Sequence, residues 1–352
     1  MTKRFLTLTL VLFLLAACAP APALPDLLPT PTPDANDIVL NGGTYTDYVL
    51  AKSGTESDPI IVHGNGSTLR CVLITGSYIV WRDTIITGCP SFGIRVKGAH
   101  VVVEYNTITN VVLSNWDGAK CVGDPRTWDS AVRAADTTDV IFRFNLIYKV
   151  CGEGLSVLRS SYVTIEGNTI YDAFSVNIYV DQASFTTVKG NWSYSTGDTR
   201  YYKAGQVARG LSIGAEIYSG WAFNVHDLLI ANNTFERVRG INYIVEQAGT
   251  PYNVTVRDNQ FISVVQPYVA LPSWATVSNN VAVTATPGGT AVTPTPSRTP
   301  APPTATATST VTTVTPTPSA TSTPTPTGTA VIGTATPECI YFPAHDEEVC
   351  LK

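Results

Sequence analysis

The sequence predicts an all-β protein in which short parallel strands wind into a solenoid. A motif of alternating apolar and polar residues, such as "YVTIEGNTIYDA" from Tyr162 to Ala173, recurs along most of the 352-residue chain. When the copies are aligned on their asparagines, most steps are about 21 to 26 residues and two are about 40. The apolar residues recur at every second position, as in strands, whereas a helical solenoid would space them three or four apart.

Each copy of the motif contains two short strands joined by a corner. In the quoted copy, Val163 and Ile165 point to one side while Thr164 and Glu166 point to the other. The "GN" between the strands tolerates the left-handed backbone of a corner, and stacked asparagines can bond one another. A leucine-rich repeat is excluded because its leucine pattern is missing and the units are rich in Val, Ile, Thr and Tyr. The aligned column consists of Thr84, Asn106, Asn145, Asn168, Asn191, Asn233, Asn259 and Asn280.

The "VTIEGNTIYD" units resemble the repeats of right-handed parallel β-helix proteins, the pectate-lyase-like superfamily, and "DIVLNGGTY" resembles the strand with which many of them begin. The resemblance covers residues 36–283 and implies about nine coils. It implies that five apolar side chains face the interior, namely Val163, Ile165, Ile170, Ile178 and Val180. The superfamily contains lyases, hydrolases, epimerases and noncatalytic proteins, so the fold alone does not name a function.

The first 35 residues predict export and attachment to a membrane surface. Residues 1–17 carry Lys3, Arg4 and an apolar stretch too short to span a bilayer, as in a secretory signal peptide. "LAAC" resembles the bacterial lipobox, which implies cleavage before Cys18 and a lipid on its sulfur. The alternative is an ordinary signal peptidase site. Residues 18–35 are a Pro-rich spacer, and the predicted location is the exterior of a bacterial cell, anchored by the lipid.

The segments after the repeats predict no second domain. Residues 284–337 form a Thr/Pro-rich, low-complexity linker without the apolar residues that a core requires. Residues 338–352 form a short tail that contains two cysteines. The formal net charge is −5 and becomes about −7 once Lys3 and Arg4 are removed, so we expect no nucleic acid partner. The oligomeric state stays open.

The cysteines predict a disulfide framework. Seven cysteines minus a lipidated Cys18 leave six, an even number suited to an oxidising exterior. Proximity in sequence favours Cys71–Cys89, Cys121–Cys151 and Cys339–Cys350 among the possible pairings. The alternative is that some are buried small apolar residues. The second pair would close the first of two long insertions.

The two insertions, about residues 114–130 and 194–209, predict the walls of a groove. Both follow the asparagine-containing strand pair and precede the next apolar strand, so they should leave the solenoid at one edge. Aromatic faces suit the apolar faces of sugars, although packing at the loop bases is an equal alternative. The predicted substrate-binding residues are Trp116, Trp128, Tyr201 and Tyr202.

The strands between the insertions predict the groove floor. Aligning them on their apolar residues brings Arg133, Ser156, Tyr179 and Ser212 into one outward column. A second column contains Asp181 and Glu246, with Glu216 near it and Glu153 at the preceding corner. Stacked carboxylates repel, and a bound cation relieves the repulsion, so Asp181, Glu216 and Glu246 are candidate ligands for Ca²⁺. The alternative is that these acids only decorate the repeat.

The resemblance implies a carbohydrate-active protein that binds or cleaves a polysaccharide, most simply a polysaccharide lyase. In lyases of the superfamily a calcium ion or an arginine neutralises a uronate and a lysine or arginine removes the C5 proton. The candidate catalytic residues are Lys120, Arg133, Arg209, Tyr179 and Glu153. A glycoside hydrolase with paired carboxylates and a noncatalytic glycan-binding or structural protein are the alternatives, because the family's local catalytic signatures are missing.

Overall fold

The computed structural model describes residues 35–123, 128–283, 339–342 and 347–350. The predicted signal peptide, Cys18 and the Thr/Pro-rich linker lie outside these residues. No helix of the described part is long and apolar enough to cross a membrane. Two short 3₁₀ helices, Leu113–Asn115 and Thr199–Tyr201, are its helical elements, and both lie in the predicted insertions.

The strands between residues 38 and 283 form two parallel sheets. The larger sheet has 18 strands, two for most coils: β1 (Ile38–Val39), β2 (Thr44–Tyr45), β4 (Ile60–Leu69), β6 (Ile79–Thr87), β8 (Val101–Glu104), β9 (Thr107–Val111), β11 (Thr138–Arg143), β12 (Leu146–Val150), β14 (Ser161–Glu166), β15 (Thr169–Ala173), β17 (Ser184–Lys189), β18 (Trp192–Tyr194), β20 (His226–Ala231), β21 (Thr234–Glu236), β23 (Tyr252–Arg257), β24 (Gln260–Ile262), β26 (Ala275–Ser278) and β27 (Val281–Val283). The smaller sheet has nine strands, one for each coil: β3 (Tyr48–Leu50), β5 (Val72–Ile74), β7 (Ile94–Val96), β10 (Ser130–Ala135), β13 (Glu153–Leu158), β16 (Val176–Asp181), β19 (Arg209–Ala215), β22 (Arg239–Val245) and β25 (Val265–Ala270). This sheet confirms the predicted nine coils.

The interior is a continuous apolar column between the two sheets. Val163, Ile165, Ile170 and Ile178 are completely buried and Val180 is 2% exposed, which confirms the predicted inward faces. Equivalent side chains of successive coils stack directly: Val140 pairs with Val163 in the neighbouring strand, and Ile147 pairs with Ile170. Parallel register therefore repeats the same apolar position in every coil, and each coil buries its neighbours.

The asparagine column forms a hydrogen-bonded ladder inside the corner between the two strands of the larger sheet. The side chain of Asn145 donates to the Oδ1 atom of Asn168 at 3.0 Å, and Asn168 donates in turn to Asn191 at 3.0 Å. Thr84 begins the ladder and donates to Asn106 at 2.7 Å. The left-handed backbone occurs one position before the ladder residue, at φ 62° for Gly167 and at φ 56° even for Phe144. The predicted stacking is thus confirmed.

The two insertions are joined to the solenoid at the same edge. Both lie between the second strand of the larger sheet and the next strand of the smaller one, namely between β9 and β10 and between β18 and β19. Disulfides join Cys71 to Cys89 and Cys121 to Cys151, with Cα atoms 5.3 and 5.1 Å apart, which confirms two predicted pairs. The second ties the first insertion to the residues just before β13.

The C-terminal tail contains a two-stranded antiparallel hairpin, β28 (Cys339–Phe342) and β29 (Glu347–Cys350). Its register places Cys339 opposite Cys350. The backbone is thus compatible with the predicted third disulfide, and the bond itself stays a prediction.

Candidate functional site

A cleft of about 250 Å³ opens over the smaller sheet between β10 and the residues that follow β19. It spans four coils, and both ionisable and aromatic side chains line it. The lining residues are Trp128, Arg133, Glu153, Ser156, Leu158, Tyr179, Glu216 and Tyr218.

Strand register explains how the floor of this cleft is built. Arg133 pairs with Ser156, Ser156 with Tyr179 and Tyr179 with Ser212 on consecutive strands. This is the first outward column predicted from the sequence, and it is confirmed. Because parallel strands lie about 4.8 Å apart, the column places one polar side chain per coil along the cleft.

Arg133 and Glu153 are in hydrogen-bonding contact at one end of the cleft, and both side chains are largely buried. The Arg133 Nη2 atom lies 3.2 Å from Glu153 Oε2, and its side chain is 12% exposed. Ser130 donates to the same carboxylate oxygen at 2.8 Å, and Arg133 Nε donates to Ser156 at 2.9 Å. Burial raises the pKa of Glu153, and this effect outweighs the opposing effects of Arg133 and Ser130. Glu153 can therefore hold a proton at a higher pH than an exposed glutamate.

Glu216 is held by two phenols at the other end of the cleft. Tyr179 donates to Glu216 Oε1 at 2.8 Å, and the Tyr218 hydroxyl lies 2.9 Å from Oε2 and shares its single proton between Glu216 and Asp181. The pKa of each phenol is raised, first by burial and then by the neighbouring carboxylates, so both remain protonated donors. These contacts fix the orientation of the Glu216 carboxylate in the cleft.

Asp181 lies behind this pair and is completely buried. Tyr218 also donates to Asp181 Oδ2 at 2.6 Å, and the backbone N–H of Glu216 donates to Oδ1 at 3.1 Å. Burial raises the pKa of Asp181 to about 6, although both hydrogen bonds oppose the rise. Asp181 supports the Glu216 segment from behind and does not line the cleft.

The raised pKa of Asp181 predicts a pH-dependent difference in stability between the protein and its Asp181→Asn variant. The folded state binds the proton of Asp181 more tightly than the unfolded chain, so this contribution is complete at acidic pH and is lost as the pH rises through about 6. The free energy of unfolding of the protein minus that of the variant should fall by about 2 to 3 kcal/mol between about pH 4 and about pH 7. Urea unfolding at several pH values measures it, and a difference that is flat or rises with pH would contradict the assignment.

The insertions meet beside the cleft and form one wall. The Lys203 Nζ atom lies 4.0 Å from the centre of the Trp128 ring, and the backbone N–H of Cys121 donates to Arg200 at 2.9 Å. Of the four aromatic residues predicted to bind sugars, Trp128 lines the cleft. Tyr201 belongs to the core and is 5% exposed, so its predicted sugar contact is wrong. Trp116 packs on Tyr201 with ring centres 6.1 Å apart, and Tyr202 is half-buried outside the cleft.

Two predicted basic residues are not among the residues that line the cleft. Lys120 is exposed in the first insertion, and Arg209 begins β19 at the far side of the second. The prediction that one of them lines the groove is therefore wrong. The first insertion turns at Asp117, whose carboxylate accepts from the backbone of Lys120 at 2.8 Å.

The second predicted column is also wrong. Asp181 pairs with Gly214, which pairs with Ile244, so Glu246 lies two residues beyond the position of Asp181 and is exposed. The near-identity of "YVDQA" and "IVEQA" misled the alignment, because Ile241 and not Tyr243 fills the inward position opposite Leu211. In the described ranges no group of three or more His, Cys, Asp or Glu side chains is placed to hold a metal ion. Asp181, Glu216 and Glu246 are thus not gathered, and Ca²⁺ binding stays a prediction.

Sequence reasoning missed Tyr218, Ser130 and Lys203. Tyr218 lies in the connection between β19 and β20, which carries part of the extra length of the second long repeat. The repeat spacing alone places all of that length in the insertion at the opposite edge. Locating the strand of the smaller sheet in this coil, β19, shows that part of the extra length follows that strand, in the connection that contains Tyr218.

A family model matches most of the solenoid. The chain matches the right-handed β-helix region over residues 55–191 and 126–298. The chain belongs to the right-handed β-helix family. The match covers well over half of the chain and confirms the predicted hand of the coils.

Several solved structures resemble this one at low identity. Pectate lyase Pel9A is 14% identical over 70% of each chain, with a TM-score of 0.41. Alginate lyase from Paenibacillus sp. str. FPU-7 is 18% identical over 70% of this chain and 91% of that one, with a TM-score of 0.33. Polygalacturonase from Erwinia carotovora ssp. carotovora is 11% identical over 73% and 78%, with a TM-score of 0.38. No curated protein matches the sequence. These likenesses are too weak to assign a site or an activity.

Proposed function

We propose that this β-helix protein is a carbohydrate-active enzyme that cleaves a glycan in the cleft, with Glu153 as general acid and Glu216 as general base. The observation that carries the proposal is that both carboxylates line one cleft and have different surroundings. Burial favours the protonated form of Glu153, whereas two phenols contact Glu216. A buried carboxyl group with a raised pKa is suited to act as general acid beside a second carboxyl group that acts as base.

The two carboxylates line one cleft and would divide the acid and base steps of glycoside hydrolysis. Glu153 begins β13 and Glu216 follows β19, and one strand, β16, lies between these two in the sheet. Two coils separate them along the axis, roughly 10 Å, and they are also displaced along the strands, because Glu153 begins its strand whereas Glu216 follows Gly214, which occupies the position of Leu158 two coils further on. Glu153 would protonate the glycosidic oxygen, and Glu216 would take a proton from the attacking water.

Trp128 and the column of polar side chains would orient the glycan. The Trp128 ring stands at the cleft wall, where its face can cover the apolar face of a sugar. Ser156 and Tyr179 lie on consecutive coils along the floor. The substrate would therefore lie along the axis of the β-helix.

Lys203 supports a second candidate reaction, β-elimination on a uronate-containing polysaccharide. Its pKa is lowered, first by burial and then by the nearby Arg239, which suits a base that removes a proton from carbon. It lies against Trp128 at the edge of the cleft. A Ca²⁺ ion that neutralises the uronate would serve this reaction, and the assay below includes one.

One assay separates these reactions from each other and from a noncatalytic role. The protein is incubated with neutral and uronate-containing polysaccharides, with and without Ca²⁺, while new reducing ends and ultraviolet absorbance are both measured. Hydrolysis releases reducing ends without absorbance, and elimination produces both together. Binding without either signal across the panel would overturn the proposal in favour of a glycan-binding or structural protein.

We also propose that the protein is exported and anchored to the bacterial cell membrane through a lipid on Cys18. The disulfides Cys71–Cys89 and Cys121–Cys151 support export, because such bonds persist in oxidising compartments. Replacing Cys18 with serine should move the protein from the membrane fraction to the soluble exported fraction. Unchanged fractionation of this variant would count against the anchor.

A further inference from the structure

Three basic side chains lie next to one another beside the cleft, and among the residues that the structure describes none of them has an acidic partner. Arg209 and Arg239 are paired residues of the adjacent strands β19 and β22, and Lys203 lies in the insertion above them. Within the part of the chain that the structure describes, none of the three forms an ion pair. We refer to Lys203, Arg209 and Arg239 as the basic cluster.

The cluster is unusual because both arginines are half-buried. Buried charges in proteins are normally paired, since transfer from water is costly without a partner. Arg239 donates to Gln206 Oε1 at 2.5 Å, but its buried Nε atom has no hydrogen-bond partner among the described residues. Burial lowers the pKa of both arginines, and the charge of Arg209 lowers that of Arg239 further. An anion at this position would satisfy the unpaired donor and relieve the repulsion.

The two arginines of the basic cluster occupy the same strand position as Glu153, in later coils. Arg209 occupies the strand position of Val176, and Val176 is one coil beyond Glu153. Arg239 follows one coil beyond Arg209. A chain that lies along the coil axis from Glu153 would reach Arg209 after roughly 10 Å and Arg239 roughly 5 Å later.

Lys203 connects the cluster to the cleft. Its ammonium group covers the Trp128 ring at 4.0 Å, and Trp128 lines the cleft next to Glu153. A glycan stacked on Trp128 therefore has a cation at its edge. Its next units along the axis would meet the two arginines.

We propose that Arg209 and Arg239, with Lys203, form an anion subsite that binds a carboxylate or sulfate group on the units of a glycan beyond the cleavage point. The proposal rests on the proposed function, because it names the kind of substrate that the cleft takes. Guanidinium groups suit this task, since their fixed N–H donors match planar carboxylate and sulfate oxygens. The subsite acts in binding and takes no part in proton transfer.

Binding measurements with matched ligands test the subsite without requiring turnover. The full chain is titrated calorimetrically with an oligogalacturonate, with its carboxyl-reduced counterpart, and with a sulfated galactan oligosaccharide. We expect an anionic ligand to bind at least about tenfold more tightly than the reduced one, with an advantage that shrinks as salt is added. The arm that shows the advantage identifies the anion as carboxylate or sulfate.

Two variants then test whether the arginines cause the higher affinity for the anionic ligand. Arg209→Gln and Arg239→Gln should each weaken binding of the preferred anionic ligand about tenfold and leave binding of the reduced ligand unchanged. Arg257→Gln is the control, because it removes the same charge from a side chain paired with Asp258 in the larger sheet. Equal affinity for charged and reduced ligands, or unchanged binding by both variants, would overturn the subsite. Cleavage of a neutral glycan with no anionic preference would reject the subsite alone, whereas arginine-dependent binding without cleavage would reject only the enzyme.

Discussion

Replacing Glu216 with glutamine should lower the turnover of a cleavable glycan about a thousandfold while substrate binding changes little. Glutamine keeps the shape of the side chain and can still accept a hydrogen bond from Tyr179 or Tyr218, but it cannot take a proton from water. The loss should therefore appear in kcat, measured from the release of reducing ends. Thermal unfolding monitors whether the variant keeps its fold.

Glu246→Gln is the matched control for this prediction. Glu246 is an exposed glutamate two residues beyond the position of Asp181, so the substitution removes the same charge outside the cleft. Its turnover should equal that of the unmodified protein. Comparable losses in the two variants would trace the effect to overall charge, and full activity of Glu216→Gln would remove Glu216 from the reaction.

Replacing Asn168 with alanine should lower the free energy of unfolding by about 3 kcal/mol. Asn168 is 1% exposed, its Oδ1 atom accepts from the backbone and side chain of Asn145, and its side chain donates to Asn191 and to the Phe142 carbonyl at 2.9 Å. Alanine leaves these buried groups without partners, and each orphaned group costs about 1 to 3 kcal/mol when water cannot reach it. Urea denaturation measures the loss.

Asn280→Ala provides the comparison at the last position of the ladder. Asn280 accepts from Asn259 at 2.8 Å and donates to Val256, but it is only half-buried. Water can replace part of what it provides, so we expect a loss of about 1 kcal/mol or less. If both variants lose equally little, the ladder does not stabilise the coils as a network.

The coils could be predicted from the sequence because every coil buries apolar side chains at the same positions. Apolar residues equivalent to Val163, Ile165 and Ile170 recur at fixed positions in each repeat, and the asparagines mark a corner where buried backbone groups need a side-chain partner. These constraints are local and periodic, so they leave a pattern in the chain. The column from Arg133 to Ser212 followed from the same register.

The site was harder to predict because it depends on where the periodicity breaks. Tyr218 lies in a connection whose length alone does not say which edge of the solenoid it leaves. Lys203 reaches Trp128 across two insertions that share no sequence pattern. Glu246 was misplaced because a short similarity outweighed the inward position of Ile241. A shift of two residues preserves the alternation of faces, so the pattern could not reveal the error.

The geometry of the ladder does not depend on how much chain separates its members. Asn106 donates to Asn145 at 3.0 Å across the first insertion, and Asn191 donates to Asn233 at 2.9 Å across the second, the same contact that joins Asn168 to Asn191 in adjacent short repeats. A connection at this edge can therefore lengthen, shorten or be exchanged without disturbing the stacked coils. The insertions can therefore be exchanged independently of the stacked coils. Variation or engineering can replace the cleft wall while the coils that carry Glu153 and Glu216 are kept.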